Sequence, residues 1–202
     1  MKFSRSIAQC LVLSLPFALA LRLHAASGRE KQRVIVVALD SSGSMARSDP
    51  ERRRIDAAEL LLACADQDDQ VGVITFGDQP RWLGGQSVSP RAQFPLGSLE
   101  SIGQGDQHTD FAALLREWNR FLDGEPDGYF ATHEAALVIL TDGVPDAAGK
   151  ENGEAALELA SRAAKSSTIH VIALGPEAKS TSFTSDLAAM GHGRSAYADT
   201  DK

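Results

Sequence analysis

Three short stretches carry residues that could together hold a hard metal ion. The first is Asp40-Ser41-Ser42-Gly43-Ser44, a carboxylate followed by hydroxyls at alternate positions, in a loop that Gly43 allows to bend tightly. The second is His108-Thr109-Asp110 and the third Thr141-Asp142-Gly143. From them, Asp40, Ser42, Ser44, Thr109 and Asp142 supply carboxylates and hydroxyls and no thiol. An oxygen-only set suits Mg2+ or Mn2+ in octahedral geometry and disfavours zinc and copper. It suits Ca2+ less well, because calcium sites more often bring extra carboxylates and carbonyls. The formal charges of Asp40 and Asp142 leave a dication roughly neutralised and still attractive to another acid, so the implied chemistry is the docking of a partner's carboxylate. Taken alone, Asp40 and Ser42 to Ser44 equally suit a turn and helix-capping loop. The agreement of all three stretches argues for the cation.

These residues can act together only if the fold gathers them. Val34-Ile35-Val36-Val37-Ala38-Leu39 is apolar at every position, the pattern of a strand covered on both faces, and so is the run from Ala135 to Leu140. Val71 to Phe76 predicts another strand and Arg81-Trp82-Leu83 a short one, joined into a hairpin by Gly77-Asp78-Gln79-Pro80. Ile169 to Leu174 and Ser195-Ala196-Tyr197 complete the strands. A first helix is expected after Ser48 or Asp49 as cap, with Pro50 in its first turn and Ile55, Ala58, Leu62 and Ala65 at helical spacing. Further helices are expected over Asp110 to Leu122, Ala155 to Lys165 and Ser182 to Met190. Gly84 to Gln107 is rich in Gly, Pro, Ser and Gln without a period, so it is expected to be mostly loop with at most one short helical turn. Strands alternating with helices imply an α/β fold: a doubly wound, mostly parallel sheet flanked by helices, with one short antiparallel edge hairpin. In open α/β sheets ligands bind beyond the carboxyl ends of the strands, which is where Asp40 and Asp142 fall.

The start of the chain has a different character. Lys2 and Arg5 precede an uncharged stretch from Ser6 to Leu21, followed by small residues at Ala25, Ala26, Ser27 and Gly28. That is the layout of a secretory signal peptide over residues 1–25, cleaved after Ala20, Ala25 or Ala26, the later sites being preferred. The stretch contains Gln9, Ser14 and Pro16 and falls short of the roughly 20 apolar residues a spanning helix needs, so an uncleaved membrane anchor is the minority reading. An exported protein, periplasmic or extracellular, with no span in its mature form is expected. Beyond residue 25 about 177 residues remain, enough for one domain with a substantial core. The chain has 20 Lys and Arg against 27 Asp and Glu, and Lys2, Arg5 and Arg22 lie in or beside the leader. The remainder is strongly acidic, which argues against nucleic acid as a partner. Cys10 lies in the leader, so Cys64 alone remains; no internal disulfide can form, and Cys64 is expected to be a small buried apolar residue.

Other chemistries fit less well. A phosphatase-like hydrolase with Asp40 as nucleophile would need a second Asp at the position of Ser42. No Gly-x-Ser-x-Gly elbow exists for serine hydrolysis. Gly103-Gln104-Gly105-Asp106-Gln107-His108 imitates a dinucleotide loop but follows no clear strand. His108 reads as a loop residue, and His133, His170 and His192 belong to no motif. Trp82 and Trp118 are expected to serve the core, and Glu151, Glu154 and Glu158 a solvated helix face.

In order and spacing, Asp40-x-Ser42-x-Ser44, then Thr109, then Thr141-Asp142-Gly143 resemble the metal-ion-dependent adhesion site of the von Willebrand factor A domain family. The stretch from Asp40 to Met45 is similar to its bacterial members, and the likeness runs from Val34 to Tyr197, placing the domain at residues 33–202. The resemblance implies a Rossmann-like fold in which the strand ending at Leu39 lies beside the one ending at Leu140. It implies that Ser42, Ser44 and Thr109 ligate the metal through hydroxyls, that Asp40 and Asp142 act directly or through water, and that an acidic side chain of a protein partner completes the sphere. The function implied is metal-dependent protein–protein interaction or adhesion without catalysis. A role as partner subunit of a motor ATPase, which similar domains fill, is disfavoured by the leader. Family members continue from the last strand into a final helix, whereas this sequence ends at Asp199-Thr200-Asp201-Lys202; the helix is absent or the chain is a fragment, and a switch that moves it is put in doubt.

Overall fold

A computed structural model describes residues 31–84, 88–143, 145, 149–175, 178 and 181–198. The expected signal peptide and the ending from Asp199 to Lys202 lie outside them. The strands are β1 (Gln32–Asp40), β2 (Gln70–Phe76), β3 (Arg81–Trp82), β4 (Ser89–Pro90), β5 (His133–Thr141), β6 (Ser167–Leu174) and β7 (Ser195–Ala198). The helices are α1 (Met45–Ser48), α2 (Arg53–Ala63), α3 (Phe111–Gly124), α4 (Tyr129–Thr132), α5 (Gly149–Ala163) and α6 (Phe183–Met190). The sheet runs β3-β2-β1-β5-β6-β7, with β4 also paired to β2. β2, β1, β5, β6 and β7 are parallel, and β3 and β4 return antiparallel on the β2 edge, with Ile74 opposite Trp82 and Val71 opposite Ser89. This is the expected doubly wound sheet with its edge hairpin. Among the described residues no helix is long and apolar enough to cross a membrane.

Continuous apolar strands are needed because both faces are covered. Val34, Val36 and Ala38 of β1, with Leu137 and Ile139 of β5, face a layer formed by α3, α5 and α6, whose Phe111, Leu115, Trp118, Ala160 and Leu187 complete one core. Ile35, Val37, Leu39, Val138 and Leu140 point the other way, onto Met45, Ile55, Ala58 and Leu62. Trp118 is fully buried, its indole N–H donating to Ser167 Oγ at 3.1 Å. Trp82 is half-buried against the same core and donates to Glu117 Oε1 at 2.9 Å.

The structure corrects three expectations. The stretch from Gly84 to Gln107 contains β4 and two 3-10 turns, Arg91–Gln93 and Leu96–Ser101, because Leu99 and Ile102 bury against the face that α2 covers. The first long helix starts at Arg53, not at Pro50: α1 forms a separate turn, and Arg52 between them takes a left-handed φ of 57°. Asp49 nevertheless caps α2, its carboxylate accepting from the amides of Arg53 at 2.7 Å and Arg54 at 3.1 Å. Cys64 is exposed, since it ends α2 off the stripe formed by Ile55, Ala58, Leu61 and Leu62.

Candidate metal centre

β1 and β5 run side by side with Leu39 level with Leu140, so the residues that follow, Asp40 and Thr141-Asp142, emerge together at the carboxyl edge. All three are buried. Asp40 Oδ1 accepts from the Ser42 amide at 2.9 Å, and Oδ2 accepts from Thr141 Oγ1 at 2.6 Å. Thr141 Oγ1 in turn accepts from the Gly143 amide at 3.0 Å, which fixes the direction of its own proton toward Asp40. Burial pushes the Asp40 carboxyl up to about 6; hydrogen bonds from Ser42 and Thr141 oppose this, and the Asp142 charge adds to it. Gly143 is required at this turn: its φ is 86°, and a Cβ there would lie 2.7 Å from Thr184 Cγ2.

The hydroxyls lie on the neighbouring loops. Ser42 Oγ and Ser44 Oγ are 2.9 Å apart, in hydrogen-bond contact. Thr109 is buried just before α3, whose N-terminus Asp110 caps by accepting from Ala113 N at 2.8 Å; the same carboxylate oxygen accepts from Asn152 Nδ2 of α5 at 2.6 Å. His108 is exposed, its amide donating to Asp78 Oδ1 at 3.0 Å, in keeping with a loop role.

Two residues that hold these loops carry no signal in the sequence. Asp106 stitches the Thr109 loop to the first loop: Gly43 N donates to its carbonyl at 2.8 Å, its own N–H donates to Ser41 O at 3.2 Å, and Ser41 Oγ donates to its carboxylate at 2.6 Å. The close approach needs Gly77, where a Cβ would lie 2.4 Å from the Asp106 side chain. Ser48, at the end of α1, donates from Oγ to Asp142 Oδ2 at 3.0 Å. Both contacts span dozens of residues, and no spacing rule anticipates them.

Asp142 Oδ1 is buried and accepts no hydrogen bond. An orphaned carboxylate oxygen beside a second buried carboxylate is unfavourable without a counter-charge. A divalent cation fits this arrangement. Among the described residues there is no cluster of three or more His, Cys, Asp or Glu side chains suited to a metal, so a cation here would draw on hydroxyls as well as carboxylates. Asp40, Ser42, Ser44, Thr109 and Asp142 are the residues that would hold it, and hard oxygen donors match Mg2+ or Mn2+.

The chain belongs to the von Willebrand factor type A domain family, which it matches over residues 35–145. Its fold is similar to that of the conserved hypothetical protein BatB from Bacteroides thetaiotaomicron, with a TM-score of 0.65 and 18% identity, over 83% of this chain and 91% of that one. It is similar to manganese-loaded TRAP protein from Plasmodium vivax, with a TM-score of 0.64 and 20% identity, over 85% of this chain and 70% of that one. Proximal thread matrix protein 1 from the mussel byssus, with a zinc-occupied MIDAS motif, aligns with a TM-score of 0.60 and 16% identity, over 94% of this chain and 48% of that one. At these identities the likeness is one of fold. No curated protein gives a significant match.

Proposed function

We propose that this protein is an exported von Willebrand factor A domain that binds a divalent cation through Asp40, Ser42, Ser44, Thr109 and Asp142 and uses it to grip an acidic side chain of a protein partner. The observation that carries the reading is the buried, unpartnered Asp142 Oδ1 at the same sheet edge as the buried Asp40 carboxylate. Mg2+ or Mn2+ is the cation favoured by the donor set. Structural relatives described as manganese-loaded or with a zinc-occupied MIDAS support a divalent ion in this fold. The cation supplies a Lewis-acidic point with charge left to satisfy. The protein positions it at the polar ends of β1 and β5 and backs it with their apolar interiors. No nucleophile or general base is needed for this role, and the domain acts by recognition rather than catalysis. Export rests on the charged, then apolar, then small-residue order of the leader.

The test is a thermal melt of protein purified from an exporting host, in EDTA, Mg2+, Mn2+ or Ca2+, beside Asp142→Ala. A native-state ligand at about 100 times its Kd adds about 2.7 kcal/mol of stability. A rise with Mg2+ or Mn2+ that disappears in the variant is expected; no rise with any cation overturns the cation site. N-terminal sequencing of the same material is expected to begin near residue 26, and an intact Met1 would overturn the cleaved leader.

A further inference from the structure

Ser48 lies outside the five residues that would hold the cation, yet it is only 3% exposed and its hydroxyl reaches Asp142 across 94 residues of chain. Ser48 Oγ also lies 3.2 Å from Ser44 O, which already accepts the amides of Arg47 and Ser48 at 2.9 and 3.0 Å. Between these two acceptors, the shorter contact and the carboxylate charge favour Asp142. Ser48 is also confined. Its amide is tied into α1, and the next residue, Asp49, is fully buried in an ion pair with Arg54 at 2.9 Å while it caps α2. On the outer side stands Gly175 with φ 78°, where a Cβ would meet both Cβ and the carbonyl oxygen of Ser48 at 3.1 Å. Nothing larger than glycine fits there without displacing Ser48.

Asp142 thus has two unlike oxygens: Oδ2, engaged by a hydroxyl that cannot swing away, and Oδ1, which accepts nothing. We propose that Ser48 is a positioning residue that sets cation preference, by holding Asp142 so that Oδ1 alone is left for the cation. The inference rests on the cation reading above. A carboxylate restricted to one oxygen suits Mg2+ or Mn2+, whose octahedral shell is compact, and penalises Ca2+, which takes more oxygens and accepts a carboxylate through both. Partners of this kind, one step removed from a metal, commonly change affinity by about 10–100-fold when removed.

The experiment compares the full exported protein with Ser48→Ala, measuring Mg2+, Mn2+ and Ca2+ affinities by calorimetry and the melting temperature in EDTA. The expected result is a loss of about 10-fold or more in Mg2+ and Mn2+ affinity, little change or a gain for Ca2+, and hence a collapse of the Mg2+ over Ca2+ preference, with the EDTA melt lowered because Asp142 Oδ2 is left buried without its donor. A merely structural role would weaken all three ions together and leave the Mg2+ over Ca2+ preference unchanged; that outcome overturns the proposal, as do unchanged affinities. Ser48→Cys, nearly isosteric and a much weaker donor, carries the same test where the alanine variant does not fold. Wild-type protein that binds no cation at all would instead overturn the cation reading itself.

Discussion

The interiors of β1 and β5 and the carboxyl ends of the same strands are equally buried and chemically opposite. Val36, Val37, Leu137 and Val138 have no exposed surface, and neither do Asp40 and Thr141, the last residues of the two strands. In the interiors every buried group is satisfied, with backbone paired in register and side chains packed on both layers. At the ends the same depth of burial holds two carboxylates, one of them with an orphaned oxygen. The interiors stabilise the fold, and the ends spend some of that stability to keep a site ready for a ligand. Substitutions in the two regions should therefore differ in sign as well as size.

The largest effect is expected from Leu137→Ala, which empties space between β5 and the layer of α3 and α5. A loss of about 2–5 kcal/mol is expected by chemical denaturation. Because Leu137 is remote in chemistry from the strand ends, the loss should be the same in EDTA and in Mg2+; a loss that shrinks with Mg2+ would blur the distinction between interior and end. Gly77→Ala comes next. The new methyl meets Asp106 where that residue joins the two loops, so a loss of about 1–3 kcal/mol is expected. Here the Mg2+ increment should fall as well, since the Thr109 loop must shift; a full increment in the variant would show that Asp106 is not needed to align the loops.

Asp40→Asn sharpens the comparison by reversing the sign. Burial disfavours the ionised Asp40 carboxyl and pushes it up to about 6, so at neutral pH the folded protein carries a charge it would shed more readily than the unfolded chain. Replacing it by a neutral amide removes that charge but loses one accepted hydrogen bond, since the new NH2 must face Ser42 N or Thr141 Oγ1. A small net gain in stability in EDTA, below about 1 kcal/mol, is expected, with the increment from Mg2+ abolished. A variant less stable than wild type in EDTA would mean that the hydrogen bonds from Ser42 and Thr141 outweigh the burial of the charge.

How far the sequence anticipates this architecture depends on the range of the interactions involved. The apolar runs Val34 to Leu39 and Ala135 to Leu140 specify strands buried on both faces because every residue votes the same way; among the described residues every strand except β4 was legible, β3 and β7 as short segments rather than as such runs. Asp40, Ser42, Ser44, Thr109 and Asp142 were legible as oxygen donors at strand and helix ends, though the adjacency of β1 and β5 came only through resemblance, since spacing does not give strand order. The 3-10 turns before Thr109 were not legible, because Leu99 and Ile102 are isolated apolar residues whose burial depends on where α2 lies. Ser48 and Asp106 were invisible for the same reason: each acts through one contact with a distant loop. The solvent exposure of Cys64 followed from where α2 ends, a boundary that composition fixes poorly.

The smallest expected effect lies at neither end nor interior centre but on β6, where His170 is half-buried and its Nδ1 accepts from the Arg194 amide at 3.1 Å. Burial lowers its pKa, and the Arg194 charge lowers it further. A histidine whose folded pKa is depressed gives its full contribution above the unfolded value near 6.5 and loses it as pH falls through that value, because the unfolded chain takes up the proton first. His170 should therefore contribute a decline in melting temperature as pH falls below about 6.5, opposed by Asp40, whose raised carboxyl adds stability as it takes up a proton at about 6. His170→Asn, which keeps an acceptor for Arg194 N and removes the titration, should leave the variant more stable relative to wild type at low pH than at neutral pH. The comparison is made in EDTA, so that competition between protons and cation at the strand ends does not enter. Identical pH slopes for the two proteins would place the acid sensitivity elsewhere, and a steeper slope in the variant would show that protonated His170 is stabilised in the fold, against the direction its burial sets.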